Sequence, residues 1–301
     1  MAAAVAAAVV PLGVSVMLPG GDLGAADSAA ASALRQAAAA ALQQKAEARP
    51  SGDQYVYVRS VESATYLYGP PDEDLPPFLY IESGVTQRWV APDGSGRALY
   101  ADSRVTFPTP KDRAAWIAAG SPELSTSGDA EAYEAGELSF LDLSGFPSEP
   151  NALLEIIEQR QIIGGPPGDW ESFAIIGDLL RADYAPPAVR AGLYRLASRL
   201  NGVEYVGRVV DPAGRVGTAV GYTHNGLRHD LIFDPKTTDL LGERTIVVNA
   251  EEAYLPAAPD TILGQTGPVG TITYEVAYLD RTVTDHDTGR PVPGPNTDTN
   301  R

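Results

Sequence analysis

A chain of 301 residues can bury a substantial core without staples, and its 44% apolar content is that of a globular protein, not a disordered one. The net charge of −17, from 22 basic against 39 acidic residues, excludes an electrostatic grip on nucleic acid or on an anionic membrane surface. Cysteine is absent, which excludes disulfides, zinc–thiolate sites and a cysteine nucleophile.

Met1–Leu18 carries no charged side chain; the first is Asp22. As a helix it would span roughly 27 Å, close to a bilayer core. It reads as a membrane anchor whose cytoplasmic leader lies upstream, with a signal peptide and an Ala-rich soluble helix as alternatives. Residues 1–21 are therefore an anchor or signal-like segment, and residues 22–284 a single domain outside the cytoplasm.

Ala25–Arg49 predicts an Ala-rich helix capped by Asp27 or Ser28 and ended by Pro50-Ser51-Gly52. Strands follow at Gln54–Tyr66, Phe78–Val90 and Arg97–Phe107, separated by an acidic Pro-rich loop and by the turn Pro92–Gly96. Aromatics concentrate in this first sheet, including Tyr55, Tyr57 and Trp89. Lys111–Pro150 holds eight acidic and two basic residues, and predicts a short helix at Asp112–Ala119 followed by a solvated loop. Asn151–Gln161 and Asp169–Arg181 are helical, Asp169 serving as N-cap of the second. A third helix starts at Pro186-Pro187 and runs to Asn201, with Gly202 as C-cap.

Gly202–Val248 then reads as four strands of an antiparallel meander. Asp211-Pro212-Ala213-Gly214, Asn225-Gly226 and Asp234–Asp239 are its turns, Asn-Gly being the strongest hairpin signal because both central residues need φ > 0. On the second strand Val216, Thr218, Val220 and Tyr222 share one face. Gly217, Ala219 and Gly221 leave the other almost bare, so a helix or a ligand can approach the backbone closely. The bare stripe is where helix and sheet are expected to come closest. A last strand occupies Gly270–Leu279, and residues 285–301 have the composition of a disordered tail.

Motifs for chemistry are lacking. Asp93-Gly94-Ser95-Gly96 is a turn, not a nucleophile elbow; no phosphate-binding glycine loop or dinucleotide fingerprint occurs. His229 alternates with Leu227 and Leu231 as a packed strand histidine, His224 sits in a turn, and His286 lies in the tail. Asp72 and Asp74 share a loop with no apolar pocket to raise a carboxyl pKa. No catalytic or metal-binding residue and no cofactor is predicted. The candidate ligand groove comprises Tyr55, Tyr57, Trp89, Gly217, Ala219 and Gly221.

Six segments carry a family resemblance: Gln54–Ser60; Trp89 with Asp93-Gly94; Ala174–Arg181; Pro186-Pro187 with Leu193-Tyr194-Arg195; Asn201-Gly202-Val203; and Leu231–Pro235 with Leu240–Arg244. Together they resemble an uncharacterised family of membrane-anchored extracytoplasmic proteins of high-GC Gram-positive bacteria, often encoded beside sigma factors. The resemblance implies one transmembrane helix, an extracytoplasmic domain and an anti-sigma or sensor role with an envelope-protein partner. The element order also resembles the half-barrels of lipoprotein carriers and periplasmic stress sensors.

The fold class read from the sequence is α+β: a curved antiparallel sheet of about seven to eight strands, half-barrel-like, covered on one face by helices. The function expected is non-enzymatic sensing or binding of an apolar, lipid or envelope ligand. A lipid or lipoprotein carrier and a hydrolase without a recognisable motif are the alternatives.

Overall fold

The computed structural model describes residues 28–69, 74–124, 131–159, 168–253 and 267–285. The anchor segment Met1–Leu18, Asp72, the tail and His286 lie outside them. Nine strands form one curved antiparallel sheet: β1 (Tyr55–Tyr68), β2 (Phe78–Val90), β3 (Gly96–Thr106), β4 (Glu131–Tyr133), β5 (Val203–Val210), β6 (Val216–His224), β7 (Leu227–Phe233), β8 (Leu240–Val247) and β9 (Ile272–Thr284). The spatial order is β4-β3-β2-β1-β9-β8-β7-β6-β5. Two sequential meanders are thus joined edge to edge by the last strand, which pairs with β1 on one side and β8 on the other. The described residues also form five helices: α1 (Ser28–Ala41), α2 (Pro110–Ala118), α3 (Pro150–Gln159), α4 (Asp169–Leu180) and α5 (Pro187–Ala197).

The α+β architecture matches the sequence reading, and the turns explain why. Asn225 and Gly226 both take positive φ, 47° and 72°, as a two-residue hairpin requires. In the preceding turn the Asp211 carboxylate accepts from the backbone N–H of Ala213 at 3.0 Å, and Gly214 sits at φ 80°. The extra strand, β4, comes from the acidic stretch expected to be a solvated loop. That stretch is only partly solvated. Leu143 is fully buried, its N–H donates to the Tyr184 carbonyl at 2.8 Å, and the Leu141 N–H donates to Asp183 at 2.8 Å. One apolar side chain and these hydrogen bonds pin a segment whose composition says only that it is acidic.

Both predicted caps move. The residue before α4 is Gly168, and Asp169 lies in the first turn. Its carboxylate accepts from the Asn201 side-chain amide at 2.9 Å instead of capping its own helix. A carboxylate in the first turn still complements the helix dipole. Helix α5 ends at Ala197 with Ser198 as its cap, short of Asn201. Gly202 supplies φ 81° to the turn entering β5, against the Tyr222 ring.

The apolar core lies between the helices and one face of the β5–β8 half. Ala30, Leu34, Ala37, Ala38 and Ala41 line one side of α1 at helical spacing. Their small size lets α1 lie close against α5, where Ala191, Leu193 and Leu196 are buried. Phe173, Ile176 and Leu179 of α4 are fully buried against the same cluster, which reaches Val220, Leu231 and Phe233 of the sheet. Each such side chain contributes about 1.5–3 kcal/mol on leaving water.

The closest approach of helix to sheet is not at the bare stripe. Helix α4 instead meets the sheet at Gly177, where an added Cβ would stand 3.1 Å from Leu231. Cross-strand partners share a face, so Val220, Leu231, Glu243, Val276 and Glu62 define the helix-covered face. Gly217, Ala219 and Gly221 point to the opposite face. There an added Cβ on Gly217 would meet Ile232, and one on Gly221 would meet Asp230 and Arg228. The stripe is bare because long side chains from β7 fold across it.

Candidate functional site

Among the described residues α1, α4 and α5 lie over the β5–β8 half of the sheet, and α2 meets the other half only at the Phe78 end of β2. Over β1, β2 and β3 the same face of the sheet turns polar: Glu62, Tyr66, Tyr80, Glu82 and Tyr100 take the positions held by Val220 and Leu231 in the other half. Where the two halves meet, a cavity of about 540 Å³ opens between the central strands and the ends of α4 and α5. This lies within the roughly 300–1,000 Å³ range of small-molecule sites.

Its apolar wall includes Val58 from β1, Leu180 from α4, Leu240 from β8 and Leu279 from β9. Five arginines share the lining with four carboxylates: Arg88, Arg181, Arg190, Arg215 and Arg281 against Glu47, Glu62, Asp239 and Asp280. In a chain of net charge −17 this is a local reversal of sign. No histidine or cysteine belongs to this lining among the described residues.

The arginines are held in different ways. Arg88 pairs with Asp183, which is buried. Arg181, just past α4, pairs with Asp178 and reaches Glu243 at 3.3 Å. Arg215 pairs with buried Asp211 at 2.6 Å. Arg190 of α5 is 9% exposed; one Nη donates to Asp239 at 2.8 Å, and its Nε–H has no hydrogen-bond partner among the described residues. Arg281 donates an Nη2–H to the backbone carbonyl of Asp183 and makes no ion pair among the described residues. Burial pulls its guanidinium below the usual arginine value. Glu47, Asp183 and Asp239 counter this across space, while Arg190 adds to it.

Glu243 organises the cavity wall from below. It is 2% exposed and accepts from Tyr278 Oη at 2.9 Å, with His229 Nε2 and Arg181 each at 3.3 Å. Burial pushes its carboxyl up, but the His229 bond and the Arg181 charge outweigh burial and leave it below the usual glutamate range. Tyr278 is pushed well above the ordinary phenol value by burial and by the Glu243 charge. Farther along the same face Tyr100 is pushed up to about 12 by burial beside Glu82.

The six residues named from sequence do not line this cavity. Tyr57 and Trp89 pair across β1 and β2 with rings 4.9 Å apart, and Tyr57 Oη donates to Gln87 at 3.0 Å. By strand alternation they and Tyr55 face away from the helices, as do Gly217, Ala219 and Gly221. Three strands separate β1 from β6, so the two groups stand roughly 19 Å apart at normal strand spacing. His229 is the packed strand histidine expected: Trp170 and Phe173 present their rings edge-on, and Thr245 Oγ1 lies 3.2 Å from Nδ1. His224 closes β6 and stacks on Trp170 at 5.2 Å. Among the described residues no three His, Cys, Asp or Glu side chains come together as metal ligands, and no helix is long and apolar enough to cross a membrane.

Sequence reasoning passed over the arginines because they come from five separate places in the chain: β2, the end of α4, α5, the β5–β6 turn and β9. One compositional signal was present: the basic side chains are almost all arginine, the residue suited to planar anion recognition. No family model, curated protein or solved structure matches the chain.

Proposed function

We propose that this protein is a non-enzymatic ligand-binding domain whose site is the cavity between the central strands and the ends of α4 and α5. The observation that carries the reading is the cavity itself: about 540 Å³, with an apolar wall and a set of arginines drawn from β2, β9, α4 and α5. The cavity opens to solvent, and a molecule that fills it removes the apolar wall from water. Catalysis is disfavoured by the state of the ionisable groups. Glu243 and Asp183 are locked in buried pairs, and Ser60 donates to Glu62 at 2.9 Å with no imidazole in the lining to act as its base.

In this reading the domain stands outside the cytoplasm, tethered through Met1–Leu18, and reports the ligand to an envelope partner. The location and the sigma-factor link rest on the family resemblance and on residues outside those described. A carrier role is the second reading, favoured by the open curved sheet with its cavity on the helix side. Native mass spectrometry of the full chain, purified from its host without detergent, tests the binding reading. A mass excess of a few hundred daltons that disappears on denaturation is expected; a bare chain under both conditions would count against it.

A further inference from the structure

The cavity pairs an apolar wall with guanidinium groups whose hydrogen-bonding capacity is only partly used. Arg190 gives one Nη to Asp239, and its Nε–H is enclosed by protein with no acceptor among the described residues. A guanidinium carries five N–H donors, and Asp239 takes only one of those of Arg190, which lines the cavity. Arg281 enters the same space half-buried, bonded to one backbone carbonyl and to no carboxylate among the described residues. Arg88 also arrives at Asp183, so the two guanidiniums of β2 and β9 meet around one acid. A neutral oxygen can accept from these N–H groups but does not match their charge, and a plain hydrocarbon leaves them as they are. A cation would add repulsion. An anion with two or more acceptor oxygens would complete them, since guanidinium forks match carboxylate and phosphate geometry.

We propose, resting on the binding reading above, that the ligand is a single-chain amphiphile with an anionic head, carboxylate or phosphate. The head sits against Arg190 and Arg281, and the hydrocarbon chain lies along Leu180, Leu240, Leu279 and Val58. Against a global charge of −17, the converging arginines make the cavity a local exception to a surface that on average repels anions. It also sets a salt signature. Binding at a partly buried site is screened less than contacts at an exposed patch.

Isothermal titration of the full chain with decanoate, decyl phosphate and decanol, each below its critical micelle concentration, tests the assignment. At least one of the two anions is expected to bind roughly 10- to 100-fold more tightly than decanol, the range for hydrogen bonds to charged groups. Which anion binds better distinguishes a free fatty acid from a lipid phosphate. Arg281→Met keeps the aliphatic bulk of the stem and should reduce the preference to a few-fold while decanol binding is unchanged. Should that variant not fold, Arg190→Met serves the same purpose, and the wild-type comparison stands without either. Equal affinity for all three probes would overturn the anionic head while leaving the cavity as an apolar site. No binding of any probe would overturn both.

Discussion

Asp230→Ala is expected to lower the stability of the fold by about 3–5 kcal/mol, the cost of removing one partner from a buried ion cluster. Asp230 lies in the middle of β7 and is 0% exposed. Arg228 Nε donates to one carboxylate oxygen at 2.7 Å, and Arg244 Nη2 donates to the other at 2.6 Å. The three side chains come from adjacent strands and lie across Gly221, where an added Cβ would be 2.6 Å from the Asp230 carboxylate. Losing the acid leaves two guanidiniums facing each other over a surface with no side chains of its own. Urea unfolding measures the loss. At about 2–4 °C per kcal/mol for a chain of this size, the melting temperature should fall by roughly 6–20 °C. A loss under 1 kcal/mol would show that water reaches the cluster. Replacing all three with apolar residues of similar volume should cost far less than Asp230→Ala alone, because no charge is then stranded.

Glu243→Ala should cost a comparable amount, and its effect should depend on pH. The carboxylate ties the helix layer to the sheet: it faces Arg181 past the end of α4, His229 on β7 and Tyr278 on β9. Its folded pKa lies below the ordinary value. It therefore binds fewer protons folded than unfolded, and its contribution is complete above the unfolded glutamate value of about 4.3. That contribution is lost as pH falls through the folded pKa. Denaturant midpoints measured from pH 7 down to pH 3 should show the wild type losing stability below about pH 4.3, with the variant weaker at neutral pH but flatter in the acid window. Parallel curves for the two proteins would mean that Glu243 is not the group that titrates.

The strands were legible because their determinants are local. Turns at Asp211-Pro212-Ala213-Gly214 and Asn225-Gly226 state their own φ requirements, and alternation between them fixes the strands to within a residue or two. The pairing of β9 between β1 and β8 was not legible. It joins segments about two hundred residues apart, and the alternation of Ile272, Tyr274 and Val276 names no partner. The faces were read with the wrong occupant for a related reason. Small residues at 217, 219 and 221 signal that something lies close, and nothing local distinguishes a helix from Arg228 and Ile232 one strand away. The cavity was hidden more deeply still. Arg88, Arg181, Arg190 and Arg281 look like ordinary surface arginines in their own segments, and only the curvature of the sheet draws them into one space.

The account turns on the cavity being the place where ligand resides, and filling it tests this most directly. Thr86 of β2 lines the cavity on the helix-covered face, and tryptophan is at home in a strand. Thr86→Trp directs an indole into the cavity from the strand that lines it. Titration of decyl phosphate into wild type and variant, with melting curves of both in the absence of ligand, is the measurement. The account predicts that the variant melts at or above the wild-type temperature and binds decyl phosphate at least about tenfold more weakly. A variant that folds equally well and binds with undiminished affinity would place the ligand elsewhere and contradict it.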